Sequence, residues 1–254
     1  MWMLIIALGG MLINSLILYR ALRGNYARKY PLFYAFTAIV LIVDIIRTPA
    51  YHLGSPLLYR NIFWPTQFLC LVVGYGVILE VIRKALDPYA GAERFARISV
   101  LAVFAAVFSF VTFQTLTHSN WTPAACYGEL ERDLRGVQVL VLMGVLTIVS
   151  YYRVALGRNL KGIILGYGLF IAASVISPAL RSYFGAPLEK VWEFGPPSVY
   201  MTSQLIWVAA LWNYSPNPAP EMPPRLESDY ESLALRTKGA LGAMRSQIGR
   251  AVRP

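Results

Sequence analysis

The sequence predicts an all-α, polytopic membrane protein: a bundle of seven transmembrane helices with the N-terminus outside and the C-terminus in the cytoplasm. Three observations predict it. First, 57% of the 254 residues are apolar and only 14% are charged, against about 25% charged in soluble domains. Second, the apolar residues fall into seven runs, roughly 2–19, 31–51, 61–82, 95–117, 134–156, 160–182 and 194–213. Each run approaches the ~20 residues that a spanning helix needs. Third, the basic residues alternate between the two sides of these runs. Only Arg47, Arg60, Arg132, Arg135, Arg181 and Lys190 fall on one side, and the other seventeen of the 23 lysines and arginines fall opposite. The positive-inside bias then places the N-terminus outside and the tail inside, in the plasma membrane of a bacterium (its inner membrane).

Helices are required because, in lipid, each segment must satisfy its own backbone groups. The first run lacks a basic leader and a small-x-small cleavage site, so it reads as a span and not as a signal peptide. Runs five and six are separated only by GRNLKG, which predicts an antiparallel hairpin. Between runs four and five, His118–Asp133 reads as the longest outer loop. It carries Trp121, Cys126, Glu129, Glu131 and an Asn120-Trp121-Thr122 glycosylation sequon.

Residues 1–213 therefore form the transmembrane domain, and 214–254 a separate cytoplasmic tail. The tail opens with SPNPAPEMPP, a stiff proline-rich spacer. Beyond it, Leu226, Tyr230, Leu233, Leu241, Met244 and Ile248 recur at helical spacing, and from Arg236 onward there are five basic residues and no acid. This is a basic amphipathic helix suited to an anionic membrane surface or a partner protein. The alternative is a frayed tail.

The most informative run is FYAFTAIVLIVDIIR, because it carries both signs of charge. Asp44 and Arg47 share a helix face. With entry near Pro31, Asp44 lies about 20 Å along the helix, roughly two-thirds of the way across a ~30 Å hydrocarbon core. Charges at that depth each cost about 2.5–3.5 kcal/mol on insertion scales, so a partner or a wet cavity is expected. Arg60, Gln67, Gln114, Arg135, Gln138, Arg181 and Gln204 are expected in the same outer layer. Together these nine residues outline a polar pocket for a small anionic or amphipathic ligand, since the planar guanidinium reads carboxylate and phosphate in two places. The competing reading is structural: Asp44 neutralises an arginine while Arg47 reaches back to the interface.

Other motifs carry less. Glu80, followed by Arg83 and Lys84, reads as a helix-surface ion-pair group. Val73-Gly74-Tyr75-Gly76 imitates a potassium filter, but it lies within an uninterrupted apolar run and reads as a packing notch. Gly162-x-x-x-Gly166 adds a helix-contact face. Pro65, Pro178, Pro196 and Pro197 lie within or at the ends of spans, where proline kinks helices. Cys70 is mid-span and Cys126 is placed in the loop, so no disulfide is expected. Both histidines, His52 and His118, are placed in outer loops, which excludes haem ligation in the core. There is no zinc spacing, catalytic triad signature or phosphate loop, and only one membrane aspartate where an aspartyl protease needs two. No cofactor, metal or enzymatic activity is expected. The net charge of +10 does not imply nucleic-acid binding, because the basic residues punctuate apolar runs and form no soluble basic face.

The turn before LKGIILGYGLFIAA and a third span ending VILEVIRK resemble small bacterial seven-helix membrane proteins without an assigned activity. The resemblance covers residues 1–213, implies the same bundle and brings no site residues. It is not to retinal proteins, since VYMTSQLIWVAALW lacks the lysine that would carry a Schiff base. The leading expectation is a non-enzymatic sensor or binding component whose partners are membrane lipids, the anionic ligand and a protein met by the tail. A small-solute transporter and a scaffold subunit, the latter favoured by the glycine faces, are the alternatives.

Overall fold

The computed structural model describes residues 2–117, 123–184, 189–218, 228–229 and 231–239. Among these, seven long α-helices run in order: α1 Trp2–Arg23, α2 Pro31–Leu53, α3 Pro56–Ala85, α4 Ala90–Thr117, α5 Pro123–Tyr151, α6 Arg158–Phe184 and α7 Glu189–Leu211. No strand occurs among the described residues. Helices α1, α2, α3, α5 and α6 contain stretches long and apolar enough to cross a membrane, which marks a multi-pass membrane protein.

Local chemistry sets several helix ends. Pro31 and Pro56 occupy first-turn positions, where the missing N–H is no loss. Ser55 caps α3 by accepting from the Leu58 N–H at 3.2 Å. At the start of α2 the cap comes from elsewhere in the chain. The Glu80 carboxylate, on α3, accepts from the backbone N–H groups of Leu32 (3.2 Å) and Phe33 (2.8 Å). These are among the N–H groups that a helix start leaves without intrahelical partners, at the positive end of its dipole. The surface ion-pair reading of Glu80 is thereby corrected: the residue is 5% exposed, and among the described residues no cation lies within salt-bridge distance of it.

The helices pack around a shared interior. Helix α1 lies against α2 and α7, α2 against α3, and α3 against α4, α5 and α6; α6 and α7 form the most extensive pair, and α4 touches α3 and α5. An aromatic cluster joins α2, α6 and α7: Phe33 meets Trp207 edge-on at 5.2 Å between centroids, and Phe36 meets Tyr167 at 5.5 Å. Glycine sets the α6–α7 approach. A Cβ on Gly162 would lie 2.0 Å from the Ala210 Cβ, and one on Gly166 would lie 2.3 Å from Trp207 Nε1. Small residues let backbones come this close, and in lipid such close packing drives helix association.

The structure moves several boundaries. Helix α3 starts five residues before the apolar run does. Helix α5 starts at Pro123, so Glu129 to Asp133, and Cys126 with them, are helical and not loop. His52 likewise falls in the last turn of α2. Helix α5 ends at Tyr151, so its link to α6 is 152–157, with Arg153 in a left-handed conformation (φ 51°). His118, the sequon at 120–122, and the tail residues Leu226, Tyr230, Leu241, Met244 and Ile248 lie outside the described residues.

The tail does not begin as a free spacer. Residues 212–217 run back across one end of the bundle as a strap. Asn159, 2% exposed, donates to the carbonyls of Ala210 (2.8 Å) and Asn213 (2.9 Å) and accepts from the Ser215 N–H. Asn217 accepts from the Gly157 N–H at 2.8 Å and donates to the Lys84 carbonyl at 2.8 Å. The strap thus ties α7 to α6, to the α5–α6 link and to α3.

Candidate ligand site

Arg47 anchors the site. Although Asp44 lies one turn back on the same face, the guanidinium turns to α3. Its Nε donates to Thr66 Oγ1 (2.8 Å), Nη1 to Gln67 Oε1 (2.9 Å) and Nη2 to the Phe63 carbonyl (2.9 Å), and its guanidinium carbon lies 4.5 Å from the Phe63 ring centroid. All three acceptors are neutral. Asp44 is half-buried and forms no ion pair within 4 Å among the described residues. The alternative in which Asp44 directly neutralises an arginine is therefore not the arrangement seen among them. Asp44 acts on Arg47 and on Tyr200 of α7 only through space.

From Gln67 the network crosses to α5. Gln67 Nε2 donates to Glu131 Oε1 at 2.6 Å, and the same oxygen accepts from Arg135 Nε at 2.8 Å. Arg135, 6% exposed, continues to α6, donating from Nη1 to Ser174 Oγ at 3.1 Å and lying 5.5 Å from the Phe170 ring centroid. The chain Arg47–Gln67–Glu131–Arg135–Ser174 therefore links α2, α3, α5 and α6 within the apolar bundle. Arg135 pairs directly with Glu131, Arg47 reaches the same carboxylate only through Gln67, and Asp44 adds a second carboxylate that acts on Arg47 through space.

Two further polar groups lie apart from this chain. Gln138 donates to the Leu71 carbonyl at 3.2 Å and meets the Tyr167 hydroxyl, beside Gly74, while the Tyr75 hydroxyl donates to the Leu134 carbonyl at 2.7 Å. Gln204 faces the opposite seam: it donates to the Gly10 carbonyl at 3.2 Å, next to an Asn14 to Tyr200 bond of 3.2 Å between α1 and α7.

Of the nine residues expected in one pocket, Arg47, Gln67 and Arg135 join a single network, with Asp44 one turn from it. Gln138 and Gln204 serve separate helix contacts. Arg60 is exposed and takes part in none of these bonds. The side chains of Gln114 and Arg181 lie outside the described residues. Sequence reasoning missed Glu131, Thr66 and Ser174. The Glu131–Arg135 spacing of four was a usable signal, hidden by starting the fifth span at 134.

Chemically, the arrangement favours anions. A half-buried guanidinium held by neutral acceptors exchanges them favourably for a carboxylate or phosphate, because charge-assisted bonds are roughly twice as strong as neutral ones. Among the described residues, no group of three His, Cys, Asp or Glu side chains converges to hold a metal ion. Comparisons with protein-family models, curated proteins and solved structures gave no match.

Proposed function

We propose that this is a non-enzymatic binding component of the bacterial inner membrane. In this reading it has seven spans, α4 and α7 being the two beyond the five, with the N-terminus outside and the tail in the cytoplasm. It takes a small anionic or amphipathic ligand from the outer side at Arg47, and residues 214–254 report occupancy to a partner protein. The observation that carries this reading is the Arg47 guanidinium, held by three neutral acceptors within an apolar bundle and backed by the Gln67–Glu131–Arg135 chain. An ionisable side chain at such depth, facing the bundle interior, marks a functional site by default.

The glycine faces that favoured a scaffold lose that force, because Gly162 and Gly166 are occupied within the chain by α7 and Gly74 by Tyr167 and Gln138. Transport remains the alternative, tested by uptake of candidate anions into proteoliposomes.

The test is thermal unfolding of the detergent-purified full chain against monocarboxylates, dicarboxylates and phosphate. A ligand at ten times its dissociation constant stabilises by about 1.4 kcal/mol, a shift of a few degrees. Wild type should show a saturable rise with at least one anion class, and Arg47→Gln should abolish it while remaining folded. A flat response in wild type, or the same response in Arg47→Gln, would defeat the proposal.

A further inference from the structure

At the end of the bundle that carries the strap, α1 and α7 leave a shallow, open groove lined by Leu16, Ile17, Val208, Leu211 and Trp212, with Arg20 at its mouth. Its flanks are apolar and exposed: Leu12 is 70% and Leu205 55% accessible. On a membrane-spanning surface, such a seam is filled by acyl chains.

Arg20 is not a loose surface cation. Its Nε donates to the Trp212 carbonyl at 2.9 Å and its Nη2 faces Asn213 Oδ1 at 3.5 Å. Its guanidinium carbon lies 5.6 Å from the Tyr26 ring centroid and 5.6 Å from that of Trp212. Tyr26 in turn stacks on Tyr214 at 6.1 Å, and Lys29 caps Tyr214 at 5.3 Å. The result is a ladder of two stacked aromatic rings with a cation at each end, at the level where interfacial tyrosine and tryptophan belong. The guanidinium is oriented through Nε and Nη2, and neither of those contacts uses Nη1. A pre-oriented fork of this kind suits phosphate.

The nearby carboxylate of Glu80 is taken up by the N–H groups that open α2. No Asp or Glu precedes Asp44, and none occurs between Glu193 and Glu221, so both helices that line the groove reach this end without an acid. Arg23 lies in the last turn of α1, and Arg158 reaches the Asn213 carbonyl at 3.4 Å. Basic pockets between transmembrane helices select anionic head groups.

We infer that this groove binds one anionic phospholipid, its phosphate on Arg20 and the end of the Arg20–Tyr26–Tyr214–Lys29 ladder, and an acyl chain along Leu16, Ile17, Val208 and Leu211. The occupant is a lipid and not a free phosphate, because the cation stands over an apolar groove. The site is separate from Arg47, so either can fail alone.

The experiment is native mass spectrometry of the full chain in detergent, titrated with phosphatidylglycerol, phosphatidylcholine or inorganic phosphate. Phosphatidylglycerol should saturate one site with clear preference over phosphatidylcholine. Arg20→Gln should weaken it about fivefold, as expected for one basic residue. Because Arg20 also holds the strap, Leu16→Trp provides a second variant that fills the groove with Arg20 in place, and it should weaken binding comparably. Arg83→Gln, exposed on α3 outside the groove, should change nothing. Equal affinity for the two lipids, equal loss in Arg83→Gln, undiminished binding in Leu16→Trp, or displacement of the lipid by millimolar phosphate would each overturn the assignment.

Discussion

Gly74 offers the sharpest test of the packing. A Cβ built there would lie 2.2 Å from the Tyr167 hydroxyl, 3.2 Å from Gln138 Nε2 and 3.5 Å from Tyr167 Cζ. Tyr167 is 1% exposed, with Phe36 edge-on at 5.5 Å and Phe170 at 6.1 Å, so its ring has little room to swing aside. Gly74→Ala must therefore push α3 and α6 apart by about 1 Å. Overpacking of this kind costs about 1–3 kcal/mol, offset by up to about 1 kcal/mol of helix propensity. Tyr167→Phe alone loses the hydroxyl contact to Gln138, about 1 kcal/mol. In the double variant the hydroxyl is absent, and the new methyl meets Cζ at an ordinary 3.5 Å and Gln138 Nε2 at 3.2 Å, the latter relieved by a shift of a few tenths of an ångström in the amide. It should be no less stable than Tyr167→Phe alone, a coupling of about 1–3 kcal/mol between the sites. The assay is thermal unfolding of the four proteins in one detergent. Additive losses, or a harmless Gly74→Ala, would refute the notch.

Two further expectations follow from side chains that hold distant backbone. Glu80→Ala removes the side-chain cap on α2 and leaves the Leu32 and Phe33 N–H groups without it, which should cost about 2–6 kcal/mol at 1–3 kcal/mol per orphaned group. Glu80→Gln keeps one acceptor oxygen and should lose roughly half as much; equal melting points for Glu80→Ala and wild type would exclude the cap. At the strap, Asn159→Asp should be worse than Asn159→Ala, because a carboxylate would face the Ala210 and Asn213 carbonyls that now take the amide protons. Limited proteolysis after residue 213 reads this directly, and the reverse order of sensitivity would show that those bonds do not hold the strap.

The helices were legible because each carries a long apolar run, and in five of the seven described that run is long and apolar enough to cross a membrane. Their ends were less so. The first turns of α3 and α5 begin at Pro56 and Pro123 in polar or mixed sequence, which hydropathy does not register. The same boundary matters at the site: a fifth span begun at 134 puts Glu131 in a loop, whereas on α5 it bonds both Gln67 and Arg135. Asp44 and Arg47 looked like partners because they share a face, but Thr66, Gln67 and the Phe63 carbonyl on α3 offer Arg47 three acceptors in a better fork than one carboxylate on its own helix. Glu80 shows the same limit. Its neighbours in sequence are basic, whereas its actual partners are amides 47 and 48 residues away, beyond the reach of any periodicity.

The strap also decides how motion passes between the tail and the bundle. A pull on the chain beyond residue 218 does not act on α7 first. It loads Asn217 against Lys84 and Gly157, then Ser215 and Asn213 against Asn159, and only after those bonds part does it bear on the end of α7. The tail is geared to α3 and α6 as much as to the helix it follows, so a displacement of either helix is transmitted to the tail at its root.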